Sequence, residues 1–153
     1  MCKASSDIDK LKVKGKQYFD RYEWEKAQNV FEQILDIDPQ NLFALDKIGV
    51  IFVRKDKLNS AEYYFRKILS IDHTYKTALN NLGNILLKRG MVEQAINCYR
   101  KAIQIDENYA LTYHNLAVAY KKKGDIDSYI KNIKKSTRLE RRRNTIGWRR
   151  LGL

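Results

Sequence analysis

The feature that most constrains this chain is a spacing of 34 residues that recurs along most of its length. Small residues, aromatic residues and alanines each form a series at this spacing. The series are Gly15, Gly49, Gly83 and Ala117; Phe31, Phe65, Tyr99 and Ile133; and Ala27, Ala61, Ala95 and Tyr129. A repeat of this length is one supersecondary unit that cannot bury its apolar face alone, so neighbouring units must stack. The sequence therefore predicts four stacked units.

Within each unit the apolar residues follow the spacing of two amphipathic helices. In the second unit, Leu45, Ile48 and Phe52 share one helix face. A glycine inside a helix costs about 1 kcal/mol relative to alanine, so the recurring Gly49 position indicates a close approach of the paired helix. The predicted helix pairs are 9–21 and 24–37, 43–55 and 58–71, 77–89 and 92–105, and 111–123 and 126–141.

The order of these residues resembles the tetratricopeptide repeat family. The third unit carries the family pattern most fully, with Leu79, Leu82-Gly83, Leu86, Ala95, Tyr99 and Ala102. The fourth unit is degenerate, since Tyr129 stands for the small residue and Ile133 for the aromatic one. The resemblance implies an all-α, right-handed α-solenoid of stacked antiparallel helix hairpins, with the first helix of each pair on the concave side.

The same pattern divides the chain into three segments. We expect a disordered N-terminal end at 1–7 and a basic C-terminal tail at 142–153. Between them lies a four-repeat domain at 8–141, with units at approximately 8–41, 42–75, 76–109 and 110–141.

The composition favours a cytoplasmic protein. Two cysteines, Cys2 and Cys98, cannot form a disulfide framework and indicate a reducing compartment. The N-terminus lacks the apolar core of a signal peptide, and no run approaches the roughly 18 apolar residues of a membrane span.

Residues with catalytic or metal-binding patterns are scarce. The two histidines, His73 and His114, lie in different repeats without a cysteine or carboxylate cluster at metal-ligand spacing. Phosphate-binding loops, dinucleotide fingerprints and nucleophile elbows do not occur in the sequence. We therefore expect a protein that is not an enzyme and that holds no cofactor or metal.

The predicted concave surface is rich in cations and amides. Because the surface combines positive charge with apolar patches, it suits an extended peptide that carries carboxylates and a few apolar anchors. The predicted peptide-binding residues are Lys12, Lys16, Lys47, Arg54, Asn81, Asn84, Lys88, Asn115 and Lys122. The first three form a lysine cluster at the N-terminal end of the groove.

Two patterns within this set each have an alternative interpretation. Asn81 and Asn115 occupy the same place in consecutive repeats, where an amide could hydrogen-bond a peptide backbone; they could also be tolerated polar residues on a solvated face. Arg54, Lys88 and Lys122 follow the 34-residue spacing and could form an anion-binding strip. They also fall at helix C-terminal ends, where cations are favoured in any case.

The charge of the chain is concentrated near its C-terminus. The net charge is +12, and residues 121–150 contain 12 basic and 3 acidic side chains. The arginine-rich tail, with Trp148 as its aromatic residue, could contact nucleic-acid phosphates, an acidic protein or anionic lipid. The alternative is that its arginines remain solvated at the end of the last helix.

These observations favour a non-catalytic scaffold or adaptor that binds an acidic peptide or partner protein in its groove. The first alternative is a nucleic-acid- or ribosome-associated adaptor that acts through the tail, and the second is an assembly subunit of an enzyme complex. The sequence leaves the oligomeric state open, although exposed groove residues such as Phe19 and Phe43 favour self-association.

Overall fold

The computed structural model describes the backbone of residues 2–150 and the side chains of residues 5–143. Within this part of the chain the secondary structure is helical, with no strand. The helices are α1 (Cys2–Asp20), α2 (Trp24–Ile37), α3 (Leu42–Arg54), α4 (Leu58–Ile71), α5 (Lys76–Lys88), α6 (Val92–Ile105), α7 (Ala110–Lys123) and α8 (Ile126–Arg150). The predicted all-α class of antiparallel helix hairpins is confirmed.

The two ends of the chain differ from the prediction. Helix α1 begins at Cys2, so the expected disordered end at 1–7 is helical from residue 2 onward. Helix α8 continues to Arg150, so the expected boundary at 142 falls inside a helix. Neither segment contains a proline, and the polar residues there are compatible with helix once a neighbouring turn has nucleated it. Residues 1 and 151–153 lie outside the described residues.

The described helices form two compact units that divide between His73 and Thr74. In the N-terminal unit α1 pairs with α2 and α3 pairs with α4, and the two hairpins stack through α2 and α3. In the C-terminal unit α5 pairs with α6 and α7 with α8, and the hairpins stack through α6 with α7 and α5 with α7. Each unit thus reproduces the hairpin stacking that the repeat predicts.

The recurring glycine allows the two helices of a hairpin to approach each other. A Cβ atom added to Gly49 would lie 2.8 Å from Cε1 of Phe65, and one added to Gly83 would lie 2.5 Å from Cε1 of Tyr99. Both Phe65 and Tyr99 are fully buried. The glycine series and the aromatic series therefore form one contact, repeated in successive hairpins.

The turn inside each hairpin needs one residue with positive φ. Gly90 and Gly124 fill this position in the C-terminal unit, with φ of 81° and 88°. The residues at the same repeat position in the N-terminal unit are Tyr22 and Asp56, with φ of 61° and 57°. The left-handed conformation is unfavourable for most residues but is tolerated by glycine and, less readily, by Asp and Asn. Tyr22 is therefore the residue of this series that carries a backbone cost.

None of the described helices combines the length and apolar character that a membrane-spanning segment requires.

Replacing Gly49 with leucine should destabilise the protein. Leucine is a better helix former than glycine, by up to about 1 kcal/mol, but its side chain would overlap the ring of Phe65. Overpacking in a well-packed core typically costs about 1–3 kcal/mol, so we expect a net decrease in the free energy of unfolding, measured by urea titration and circular dichroism.

A compensating variant identifies the cause. Gly49→Ala should be less destabilising in a Phe65→Leu background than in the parent, because the smaller side chain leaves room for the added methyl group. A Gly49→Leu protein as stable as the parent would show that the glycine is not required for helix pairing.

Candidate functional site

Two lysines and two phenylalanines meet on the first helices of the N-terminal unit. The Lys47 ammonium lies 5.4 Å from the ring centroids of both Phe19 and Phe43. The Lys12 ammonium lies 6.0 Å from the Phe43 centroid, which is at the outer limit of a cation–π contact. With the exposed Lys16, one helical turn beyond Lys12, these residues form what we call the lysine–phenylalanine cluster.

The hairpin core holds the rings of this cluster in place. The buried Phe31 makes edge-on contacts with Phe19 and Phe43, with centroid distances of 6.4 Å and 5.9 Å. Phe43 and Lys47 are one turn apart on α3 and therefore share a face. The ring of Phe31 also packs against Gly15. The repeat contact thus positions the rings on which the two ammonium groups lie.

The carboxylates beside these lysines neutralise them only in part. Lys12 pairs with Asp9 at 3.6 Å, and the Asp9 side chain is 70% exposed. Exposed pairs of this kind contribute about 0–1 kcal/mol. Lys47 pairs with Asp46 at 3.5 Å, a long separation for a charge-assisted hydrogen bond. The cluster therefore retains positive charge.

Asp46 is an unusual residue in this arrangement because it is a buried acid. It is 5% exposed, and its Oδ1 atom has no hydrogen-bond partner among the described residues. Burial raises the pKa of Asp46, and the nearby Lys47 offsets this shift only partly. The folded protein therefore disfavours the ionised form of this carboxyl group.

The residue 34 positions after Asp46 is Asn80, and its side-chain oxygen is hydrogen-bonded. Asn80 is 1% exposed. Its Oδ1 accepts hydrogen bonds from Oγ1 of Thr112 at 3.1 Å and from Nδ2 of Asn115 at 3.0 Å. The C-terminal unit thus carries an amide network on its first helices, α5 and α7, where the N-terminal unit carries charges and rings.

Among the predicted peptide-binding residues, Asn84, Asn115 and Lys122 each form a hydrogen bond to a residue of another helix or to its backbone. As described above, Nδ2 of Asn115 donates a hydrogen bond to Asn80. The Oδ1 atom of Asn84 accepts a hydrogen bond from the hydroxyl group of Tyr99 at 2.8 Å. Lys122 donates to the backbone oxygen of Leu87 at 3.0 Å, near the C-terminal end of α5. This contact agrees with the helix-end interpretation of Lys122.

The other predicted residues differ in their exposure to solvent. Arg54 and Lys88 are exposed at the ends of α3 and α5, and they belong to different units. Asn81 is half-buried, and its side chain forms no hydrogen bond within the described part of the chain. The assignment of these residues to peptide binding stays a prediction.

The predicted set omitted residues that the structure makes central to the site. Phe19 and Phe43 provide the rings of the cluster, and Asp46 is the buried acid beside it. Asn80 is the buried amide at the same repeat position in the C-terminal unit. The 34-residue spacing between Asp46 and Asn80 was a usable signal, because a polar residue that recurs on an otherwise apolar helix face indicates a buried polar contact. For Asn84 the signal was the tyrosine at 99, where the first two repeats have phenylalanine and the added hydroxyl needs a partner.

Within the side chains that the structure describes, no three or more His, Cys, Asp or Glu residues gather as metal ligands would.

The comparisons with known proteins agree with the repeat architecture. Family models for tetratricopeptide repeats match residues 83–124 and residues 110–143. Among curated proteins, none matches this sequence.

Solved structures share the fold. Pseudomonas aeruginosa PilF is similar with a TM-score of 0.82 and 26% identity, over 90% of this chain and 63% of PilF, so this chain spans less than two thirds of that protein. MamA from Desulfovibrio magneticus RS-1 is similar with a TM-score of 0.74 and 19% identity, and the match covers 88% of this chain and 76% of the MamA chain. An O-GlcNAc transferase mutant from Thermobaculum terrenum has a TM-score of 0.73 and 22% identity, over 77% of this chain and 23% of the transferase. The last two likenesses, below 25% identity, concern the fold alone.

The buried Asp46 should make stability depend on pH. Its pKa is raised in the folded state above the unfolded value of about 3.9. The folded protein therefore holds a proton that the unfolded chain has released, and stability falls as pH rises through this window. Asp46→Asn cannot ionise, so its stability relative to the parent should increase from pH 4 to pH 7.

Urea unfolding at the two pH values measures this difference. Asp9→Asn is the matched control because Asp9 is exposed and also pairs with a lysine, and its effect should not follow the same trend. An Asp46→Asn advantage that stays constant or shrinks with rising pH would contradict the role assigned to the buried carboxyl group.

Proposed function

The chain is a tetratricopeptide repeat protein, and we propose that it is a non-catalytic scaffold for protein–protein interaction. In this proposal its partner is an extended acidic segment with apolar side chains, bound over the lysine–phenylalanine cluster. The observation that carries the proposal is Lys47, whose ammonium lies 5.4 Å from the centroids of two aromatic rings. A ligand at this point meets positive charge and apolar surface together.

The relative strengths of the contacts favour an added carboxylate. A cation–π contact at an exposed site contributes about 0.5–1 kcal/mol. A hydrogen bond to a charged group contributes about 1.5–3 kcal/mol. A ligand carboxylate would therefore interact with Lys47 more strongly than the rings do, while the half-buried Phe19 and Phe43 still offer apolar surface to a neighbouring side chain.

The existing acids leave this charge available. The pair between Lys12 and Asp9 is exposed and weak. The pair between Lys47 and Asp46, at 3.5 Å, is long for a charge-assisted hydrogen bond. Lys16 adds a third ammonium on the same side of α1 as Lys12, so an acidic partner would relieve repulsion among three cations.

Asn81 supports the proposal as a candidate contact to peptide backbone. Its amide has a donor and an acceptor, and neither is used within the described part of the chain. Asn115 differs, because its Nδ2 donates to Asn80. We therefore propose backbone binding for Asn81, and for Asn115 only through the groups that this hydrogen bond does not use, its oxygen and its second N–H.

The test is a fluorescent peptide that alternates Glu with Leu, titrated with the full chain and followed by anisotropy. Replacing Lys16 and Lys47 with Gln should weaken binding at least about tenfold, since each lysine contributes a charge-assisted contact. Binding by the parent should also weaken as salt rises, more steeply than in the variant.

Matched controls separate this site from general charge. Lys14→Gln with Lys57→Gln removes the same charge from exposed positions outside the cluster and should leave the affinity nearly unchanged. A peptide with Gln in place of Glu should bind weakly to the parent. Equal losses in the two double variants, or no loss in either, would contradict the proposed function.

A further inference from the structure

A second cationic surface lies on α8, far along the sequence from the lysine–phenylalanine cluster. Residues 131–143 contain seven Lys or Arg and one acid, Glu140. At about 100° of rotation per residue, five of the cations fall on one side of the helix. We call these the basic stripe: Lys131, Lys134, Lys135, Arg138 and Arg142. All are exposed except Lys135, which is half-buried.

Packing against α7 fixes the direction in which the stripe faces. On the other side of α8, the Ser136 hydroxyl donates to the backbone oxygen of Ala110 at 3.0 Å, and Leu139 is 7% exposed. Glu140 lies about half a turn from Lys131 by the same helical rotation. The only acid of the segment is therefore directed away from the cations.

The stripe borders a cleft between α7 and α8. The cleft has a volume of about 420 Å³, and its lining residues are Tyr113, Lys131, Asn132, Lys134, Lys135 and Arg138. The Lys135 ammonium lies 5.6 Å from the centroid of the Tyr113 ring. The volume falls within the range of about 300–1,000 Å³ that ligand clefts occupy, and four of its six lining residues are cations.

The like charges of the basic stripe would destabilise α8 as an isolated helix. Lys131 and Lys135, Lys134 and Arg138, and Arg138 and Arg142 are like-charge pairs four residues apart. Each such pair destabilises a helix by about 0.2–0.5 kcal/mol, and no acid within the stripe offsets it. Because successive cations of a pair are about 6 Å apart along the axis, a polyanion with regularly spaced charges would relieve the repulsion along the whole stripe.

The chemistry of the stripe distinguishes among polyanions. It contains no apolar side chain, whereas an interfacial membrane helix needs an apolar face directed toward the lipid. An acidic peptide is commonly held by apolar or aromatic anchors as well as by charge. The lysine–phenylalanine cluster offers two such rings, whereas the stripe consists of cations alone and borders a single ring, Tyr113, over which Lys135 lies. Sequence-independent binding of nucleic acid depends mainly on cations that contact phosphates.

We infer that the basic stripe binds the phosphodiester backbone of a nucleic acid, with one phosphate directed into the cleft beside Tyr113. This surface is distinct from the lysine–phenylalanine cluster and is independent of the protein partner proposed above. Its contacts go to phosphates, so binding does not depend on base sequence.

The experiment uses the full chain and fluorescein-labelled DNA of mixed sequence, single-stranded in one arm and duplex in the other. Anisotropy is measured over a range of KCl concentrations. Replacing Lys131, Lys134, Arg138 and Arg142 with Gln should weaken binding more than tenfold at low salt. For the single strand it should also make the slope of log affinity against log salt shallower by roughly 3. Lys135 is retained because its side chain is half-buried against Tyr113.

The matched control removes four exposed cations elsewhere, with Gln at Lys10, Arg21, Lys57 and Lys101. Circular dichroism checks that both variants fold. The inference is supported if only the stripe variant loses DNA affinity, and it is overturned if the two variants lose equally or neither loses.

Two further measurements test the competing ligands, an acidic protein and a membrane. If polyglutamate of equal charge competes for the stripe as effectively as DNA does, the surface would be assigned to an acidic protein instead. Binding to phosphatidylserine vesicles without binding to either DNA would assign it to a membrane. The stripe variant should keep its affinity for the Glu–Leu peptide, so a failure here is distinguishable from a failure of the proposed function.

Discussion

The close contact between a glycine on the first helix and an aromatic ring on the second is the constraint on which the rest of this structure depends. Gly49 and Phe65 make this contact in one hairpin and Gly83 and Tyr99 in another, and a Cβ at either glycine would come within 3.0 Å of the ring. Without it the helices could not approach closely enough to bury the ring completely. The same contact also positions the site, because Phe31, packed against Gly15, supports the rings of Phe19 and Phe43 in turn.

The positions that do not take part in this contact differ between the two units. The pair Asp46 and Asn80 shows this most clearly. One repeat position holds a buried carboxyl group with an unpartnered oxygen in the first case and an amide whose oxygen accepts two hydrogen bonds in the second. Desolvation of a carboxylate is far more costly than that of an amide, so the N-terminal unit gives up some stability at this position. The acid lies beside Lys47, one of the three cations of the lysine–phenylalanine cluster.

The two cationic surfaces differ in a way that matters for what they can bind. In the lysine–phenylalanine cluster the ammonium of Lys47 lies over aromatic rings, which offers a mixed apolar and charged contact. In the basic stripe the cations follow one side of α8 without apolar residues among them. Mixed surfaces favour protein segments with side-chain anchors, and purely charged ones favour polyanions. This difference is the reason for proposing different partners for the two surfaces.

The sequence by itself determined the period, the helix pairs and the hairpin contact. Helices α2, α4 and α6 span the predicted residues 24–37, 58–71 and 92–105, because apolar periodicity and the turn residues are local signals that the repeat presents several times. Tertiary structure decided which polar side chains remain available. Asn84, Asn115 and Lys122 have the composition of groove residues, yet each hydrogen-bonds a partner between 15 and 35 positions away. Tertiary structure also decided how far α1 and α8 extend, since neither terminal segment contains a proline that would stop a helix. The local sequence pattern specifies which residues share a helix face, but only the packing of the helices shows which residues that face contacts.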